Sequence, residues 1–471
     1  MTHKPSAKKS SKTQDKKEDK KKNKVHPNPE QVGTETKNLL LAVTGMSPAV
    51  VTETLYGIAQ RRKAGDQNAY WPDAICILTT SVGQKKMTAG LFDDDWLQKV
   101  CVENGQPPIA RDQCHIKVVP GANGEEVTDA LSEADHKALA NFITEEVRTY
   151  ASAIGGDDKR AEWRIHASIA GGRKTMTFYL GYAMSLFGRH FDQMSHVLLE
   201  TPEFEGARGF YAPTTESFEV KCGFGDNIEI RDAKNAKIVL TDIPFIRMRH
   251  SLPDLLKESP KEDETFNYQG LVDLINLGDQ PELIRLRVQD GGKVVEVYSC
   301  AKPEQIARIE NTSPVSIAMY MLILEDTCRE AVCRNLYTRP PKGKDDPLLF
   351  GMLIDRLAEF MGYQDQVAGM KDFDALTYIY KARDEYSMEY PNLERSLESL
   401  LDAGTITSTK FTNLLSELTK PFRRVLPEHL ADYVLPMPLF DKDGTSVNGS
   451  RLAGGAYGIS LKPDQIKLVK D

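Results

Sequence analysis

Several absences narrow the possibilities first. The seven cysteines, at positions 76, 101, 114, 222, 300, 328 and 333, are scattered, odd in number and never spaced Cys-x-x-Cys. Neither a disulfide framework nor a structural zinc site is therefore expected. No apolar run approaches the roughly 18 residues that a membrane span needs. The N-terminus also lacks the apolar core of a signal peptide, so a cytoplasmic protein with no membrane partner is the expectation.

What is present suggests two or three domains, since 471 residues exceed one ordinary core and 40% of them are apolar. Residues 1–25 hold ten lysines against three acids, and with a whole-chain net charge of −8 the remainder is strongly acidic. The first 36 residues read as a disordered Lys-rich tail. Because the folded part is acidic, an anionic ligand has to be met by local cations and backbone amides.

From residue 37 to about 220, aliphatic runs alternate with helix-like segments. The pattern predicts strands near 38–44, 73–79, 114–119, 163–170 and 195–200, with helices at 48–62, 85–104, 133–153 and 174–189. Near-continuous apolar strands separated by helices imply an α/β, Rossmann-like domain with a parallel sheet covered on both faces, spanning 37–255. A charged linker at 257–264 precedes a second, mostly α domain at 266–471. There, 283–289 and 294–299 flank Asp290-Gly291-Gly292 as a hairpin, and helices are expected at 303–311, 314–336, 347–362, 372–384, 391–403 and 408–424. Pro421 is expected to kink or end the last of these. A hairpin, an amphipathic helix, a loop at 441–455 and a closing strand form a winged-helix-like arrangement, with 337–406 as a helical insertion.

Two loops carry the chemistry. In LAVTGMSPAVVTETLY, Gly45 permits a tight turn, Thr44 and Ser47 offer hydroxyls, Ser47 is an N-cap candidate, and Pro48 suits the first helical position. In Ala170-Gly171-Gly172-Arg173-Lys174-Thr175, paired glycines allow close backbone approach and two cations stand beside them. Amides, hydroxyls and positive charge together are the inventory of a phosphodiester site at the carboxyl ends of parallel strands. Neither loop is a G-x-G-x-x-G or G-x-x-x-x-G-K-[ST] fingerprint, which disfavours nicotinamide cofactors and nucleoside triphosphates.

LAVTGMSPAVVTETLYGI, ICILTTSVG, SIAGGRKTM, FDQMSHVLLETPEF and TDIPFIRMR together resemble the CARF family, the CRISPR-associated Rossmann-fold proteins, and within it the ring nuclease branch, over about residues 37–250. The resemblance implies a homodimer that binds a cyclic oligoadenylate of four or six adenylates, a second messenger of type III CRISPR defence, across its two-fold axis. It implies Thr44, Gly45, Met46, Ser47, Pro48, Gly171, Gly172, Arg173, Lys174 and Thr175 as ring-lining residues, with Thr79, Thr80 and Ser81 flanking adenines or riboses. It further implies ring opening by the ribose 2′-hydroxyl with no metal or cofactor. Lys174, aided by Arg173, would stabilise charge on the phosphate, and Ser47 would position the hydroxyl or a phosphate oxygen.

Two alternatives remain at this point, both messenger-gated effectors. A HEPN-type ribonuclease is marked by Arg followed by four to six residues and His, and Arg424/His429 and Arg189/His196 have that spacing. A transcription regulator would use Lys410, Lys420, Arg423 and Arg424 on helix 408–424 against DNA. The run Asp93–Asp95 reads as a solvated helix start rather than a metal site. Met176, Tyr179, Leu180 and Ala183 read as a buried face, and His166 and His196 as structural histidines.

Overall fold

A computed structural model describes residues 36–469 apart from 122–123, 153–162, 224–227, 259–266, 311, 329–339, 341, 387 and 439–456. Its first half is built on β1 (Lys37–Val43), β2 (Ala74–Thr79), β3 (Cys114–Val118), β4 (Trp163–Ser168), β5 (Gln193–Leu199) and β6 (Ile238–Asp242). They hydrogen-bond in the order β3-β2-β1-β4-β5-β6, all parallel except the antiparallel edge strand β6. β1 shows why the sequence demands this arrangement. Leu39, Leu41 and Val43 face one layer of helices, Leu40 and Ala42 face the other, and all five are buried. A strand covered on both faces has no polar side to spare.

The helices are α1 (Ala49–Lys63), α2 (Ser81–Thr88), α3 (Trp96–Glu103), α4 (Glu133–Ala151) and α5 (Lys174–Phe187). Leu139 and Ile143 of α4 and Met176 and Leu180 of α5 pack on the Leu39 face, whereas Val51 and Leu55 of α1 and Leu97 of α3 pack on the Leu40 face. The single helix expected over 85–104 is broken. A wide π-type turn at Ala89–Asp93 follows α2, and Asp95, at φ 56°, restarts the chain as α3.

α4 is tied at both ends. Ser132 Oγ accepts the Asp135 amide at 3.1 Å while an Asp135 carboxylate oxygen accepts the Ser132 amide at 3.0 Å, a capping box. At the other end the fully buried Arg148 donates to the carbonyls of Leu256 at 3.2 Å and Leu255 at 3.1 Å. Ser152 adds a bond to the Glu258 carbonyl at 3.1 Å.

In the second half, α6 (Tyr268–Leu277) leads into β7 (Ile284–Gln289) and β8 (Val294–Ser299), the expected antiparallel hairpin around Gly291. The helix expected at 303–311 is not found over the described residues 303–310: Lys302–Ile309 is a strand, β9, antiparallel to β8. The register sets Arg308 opposite Glu296, with Nε 3.4 Å from the carboxylate, and Ala307 and Ile309 opposite Val297 and Val295. Period-two burial on a ready hairpin edge outweighs local helix preference. A short strand, Ile466–Leu468, pairs parallel with β7.

Around this sheet lie α7 (Pro314–Cys328), α8 (Pro347–Phe360), α9 (Asp372–Ala382), α10 (Leu393–Ala403) and α11 (Ser408–Val425). α7 is described as far as Cys328, and the rest of the helix expected to 336 lies outside the described residues. Pro421 sits inside α11 without ending it, because Phe411, Leu414, Leu415, Leu418 and Phe422 anchor one buried face along its length. Residues 433–434 end a short helix, Glu428–Val434; Met437–Pro438 pairs with Tyr457–Gly458, and the expected wing at 441–455 lies outside the described residues.

Candidate functional site

In this strand order the chain reverses direction of winding between β1 and β4, and in open parallel sheets the ligand crevice lies beyond the carboxyl ends of the strands at such a switch point. The two loops singled out by sequence are the ones that flank it. A methyl group at Gly45 would lie 3.5 Å from Gly172 Cα, and one at Gly171 would lie 3.3 Å from Thr44 Cα. A third loop joins them: a methyl at Gly83 in α2 would lie 2.5 Å from the Gly45 carbonyl oxygen and would overlap the Thr79 hydroxyl. Close backbone approach therefore favours glycine at 83 and 171, and Gly172, at φ +85°, is favoured by its left-handed conformation, whereas a methyl at Gly45 would make only ordinary contact.

Each loop runs into a helix whose first turn contains no acid, at α1, α2 and α5. α4, which starts nearby, carries Glu133 and Asp135 in its first turn. Three helix starts free of negative charge, gathered at one crevice, favour an anion there.

The side chains divide into those that hold the loops and those left exposed. Thr44 is fully buried; its amide donates to Leu78 and its hydroxyl donates to the Ser47 carbonyl at 3.0 Å, which fixes the turn. Thr80 caps α2 by accepting the Gly83 amide at 3.3 Å, and the Ser81 amide donates to the Val127 carbonyl. Thr79 and Thr175 each keep a buried hydroxyl with no hydrogen-bond partner among the described residues. Ser47 does not cap α1. Pro48 occupies the cap position with helical φ and ψ, no side chain caps the helix, and Ser47 stays exposed beside Met46, which is 59% exposed. Lys174, the first residue of α5, is also exposed, with no ion pair among the described residues.

Arg173 differs from Lys174. Its Nε and Nη2 donate to the two carboxylate oxygens of Asp129 at 2.8 and 2.6 Å. The guanidinium holds the Asp129 carboxyl below its ordinary range, and the carboxylate raises Arg173 in turn. One of the two positive charges expected here is thus compensated within the protein. Asp129 was not visible as a site residue in the sequence, lying 44 positions away in a polar loop; its one signal is that this loop follows β3 at the same end of the sheet.

Residues weighed for other chemistry have structural partners. His166, on β4, is buried, bonds Ser195 Oγ at 2.7 Å, and burial lowers its pKa to about 4. Met176, Leu180 and Ala183 are core, and Tyr179 packs against it. The Arg424 guanidinium bonds Glu258 at 2.9 Å, which ties α11 to the segment that follows the first half, and the His429 ring, in the short helix after α11, meets the Ile275 carbonyl at 2.8 Å and packs against Gly278 at the end of α6. Arg189 is held by Asp192. On α11, Lys410 donates to Ser399 and burial lowers its pKa, while Arg423 pairs with Glu428 and Asp432. Among the described residues no group of three His, Cys, Asp or Glu is gathered for a metal, and no helix is long and apolar enough to cross a membrane.

Fold and site together define a parallel α/β domain with two glycine loops and three acid-free helix starts gathered at its switch point, joined to a mostly helical second half. Residues 47–272, a little under half of the chain, match the family model described as CRISPR-associated protein NE0113. The matched stretch runs from Ser47 into the first half of α6, taking in the GGRK loop. This similarity supports a role in CRISPR defence. A comparison with curated proteins found no match.

Proposed function

We propose that the crevice binds a cyclic oligoadenylate, shared between two copies of the chain, and opens it without a metal. The observation that carries this reading is the convergence of three acid-free helix starts on a glycine-lined crevice whose exposed side chains include Ser47 and Lys174. A nucleotide ring presents phosphates at intervals, and an isologous dimer supplies two equal half-sites.

The chemistry asks little beyond alignment and charge. The ribose 2′-oxygen attacks the adjacent phosphorus in line; the new P–O2′ bond forms as the P–O5′ bond breaks. The 2′-proton passes to solvent and the leaving 5′-oxygen takes one up, giving a 2′,3′-cyclic phosphate and a 5′-hydroxyl. Lys174 stabilises the charge that builds on the phosphoryl oxygens, the Ser47 hydroxyl positions the 2′-hydroxyl or a phosphate oxygen, and the loop amides complete the cradle. No histidine is needed, and neither loop contains one. The second half serves in this reading as a winged-helix-like platform rather than a DNA reader, since three of the four cations named on α11 are already engaged.

The test is incubation with cyclic tetra- and hexa-adenylate in EDTA. Ser47→Ala and Lys174→Ala are each expected to slow opening at least about tenfold, about 1.4 kcal/mol of barrier. Tight binding without product would leave a receptor and remove the catalytic assignment.

A further inference from the structure

The bidentate pair between Arg173 and Asp129 leaves part of the guanidinium unspent. Asp129 takes Nε and one hydrogen of Nη2, the side edge of the fork. Arginine has five N–H donors, so both Nη1 hydrogens and the second Nη2 hydrogen, the end edge, have no partner among the described residues. A fork held along one edge keeps a fixed orientation for the other, the geometry that suits two phosphate oxygens. Both side chains are a little under half exposed, so the pair is open to a ligand. It also ties the GGRK loop to the loop before α4, whose Val127 carbonyl accepts the Ser81 amide of the third loop.

We infer that Asp129 is a positioning residue for ligand phosphate: it orients Arg173 so that the end edge of the guanidinium receives a phosphodiester, and it cancels the net charge of that arginine. This rests on the cyclic oligoadenylate reading of the crevice. Arg173 then contributes directed hydrogen bonds, and Lys174 contributes the uncompensated charge. The two cations differ in how they respond to salt, because only an uncompensated charge draws on counterion release.

The experiment measures the affinity of the full chain for cyclic tetra- and hexa-adenylate from low to high salt, for wild type, Asp129→Asn, Asp129→Glu and Lys174→Ala. Asp129→Asn is expected to weaken binding about fivefold at physiological salt while steepening the dependence of log affinity on log salt by up to about 0.7. Asp129→Glu, which keeps the carboxylate, is expected to recover much of the affinity and the wild-type slope. Lys174→Ala should flatten the slope. Weaker binding by Asp129→Asn with an unchanged slope would reduce Asp129 to a loop staple and overturn the inference. Tighter binding would overturn it the other way, making Asp129 a competitor for Arg173. A wild type that binds neither ring overturns the function on which the inference rests, a result distinct from any change confined to Asp129.

Discussion

Replacing Gly83 by alanine should separate the fold from the site. The added methyl would stand 2.5 Å from the Gly45 carbonyl oxygen and overlap the Thr79 hydroxyl, which is fully buried and has no room to swing away. Restoring ordinary contact of about 3.4 Å requires the first loop and α2 to part by about 0.9 Å. Overpacking of this kind costs about 1–3 kcal/mol, while exchanging glycine for alanine within a helix returns up to about 1 kcal/mol. The net loss of stability is therefore about 0–3 kcal/mol, which a protein of this size survives. The crevice fares worse, because a misplacement of about 1 Å costs on the order of a hundredfold in rate. Thermal unfolding and ring opening, measured on the same sample, should show a nearly normal melt with activity down about a hundredfold. Gly181→Ala is the control: its methyl meets only Met194 Sδ at 3.7 Å, so it should leave ring opening unchanged and raise stability by up to about 1 kcal/mol. Wild-type ring opening by Gly83→Ala would refute the claim that the loops are pressed together.

His166 and Glu53 predict opposite pH trends in stability. His166 has a folded pKa of about 4 against about 6.5 unfolded, so its contribution is intact above 6.5 and is lost as pH falls toward 4, by about 3 kcal/mol. Glu53, buried in α1 and facing Glu205, is raised mainly by burial to about 7, so its contribution is intact below 4.5 and lost as pH rises through 7. Glu53→Gln should therefore raise stability at pH 8 by up to about 3 kcal/mol and leave pH 4 almost unchanged, checked by denaturant titration at both values. Pro421→Ala should stabilise the second half by up to about 3 kcal/mol, seen as a raised denaturation midpoint, since α11 already tolerates the missing amide. Glu258→Gln, removing the partner of Arg424 where both side chains are about half exposed, should cost under about 1 kcal/mol.

Much of the first half was legible because its strands are apolar on both faces. The start of β1 was placed within one residue, and the loops after β1 and β4 were recognised by their glycines before their contact was known. Two kinds of feature were not legible. One depends on an edge supplied by another segment: Lys302–Ile309 has enough helix-compatible residues to read either way, and only the adjacent hairpin decides it. The other depends on distant partners: nothing local marks Asp129 as the carboxylate that meets Arg173, or Glu258 as the one that meets Arg424. The Ser47 cap failed for a subtler reason. The Thr44 hydroxyl takes the Ser47 carbonyl, and Pro48 moves into the cap position, leaving Ser47 in solvent.

The two ends of α4 have a mechanical consequence. With 19 residues it is a rod about 28 Å long. Its near end follows the loop that carries Asp129, and its far end, through Arg148 and Ser152, grips residues 255–258, where Glu258 in turn holds Arg424 of α11. A helix capped at one end and clamped at the other turns as a unit rather than bending. A tilt of about 2° would displace a rod of about 28 Å by about 1 Å at its tip. The chain thus contains an unbroken series of contacts from the loop pairing with Arg173, along α4, to the seat of the amphipathic helix.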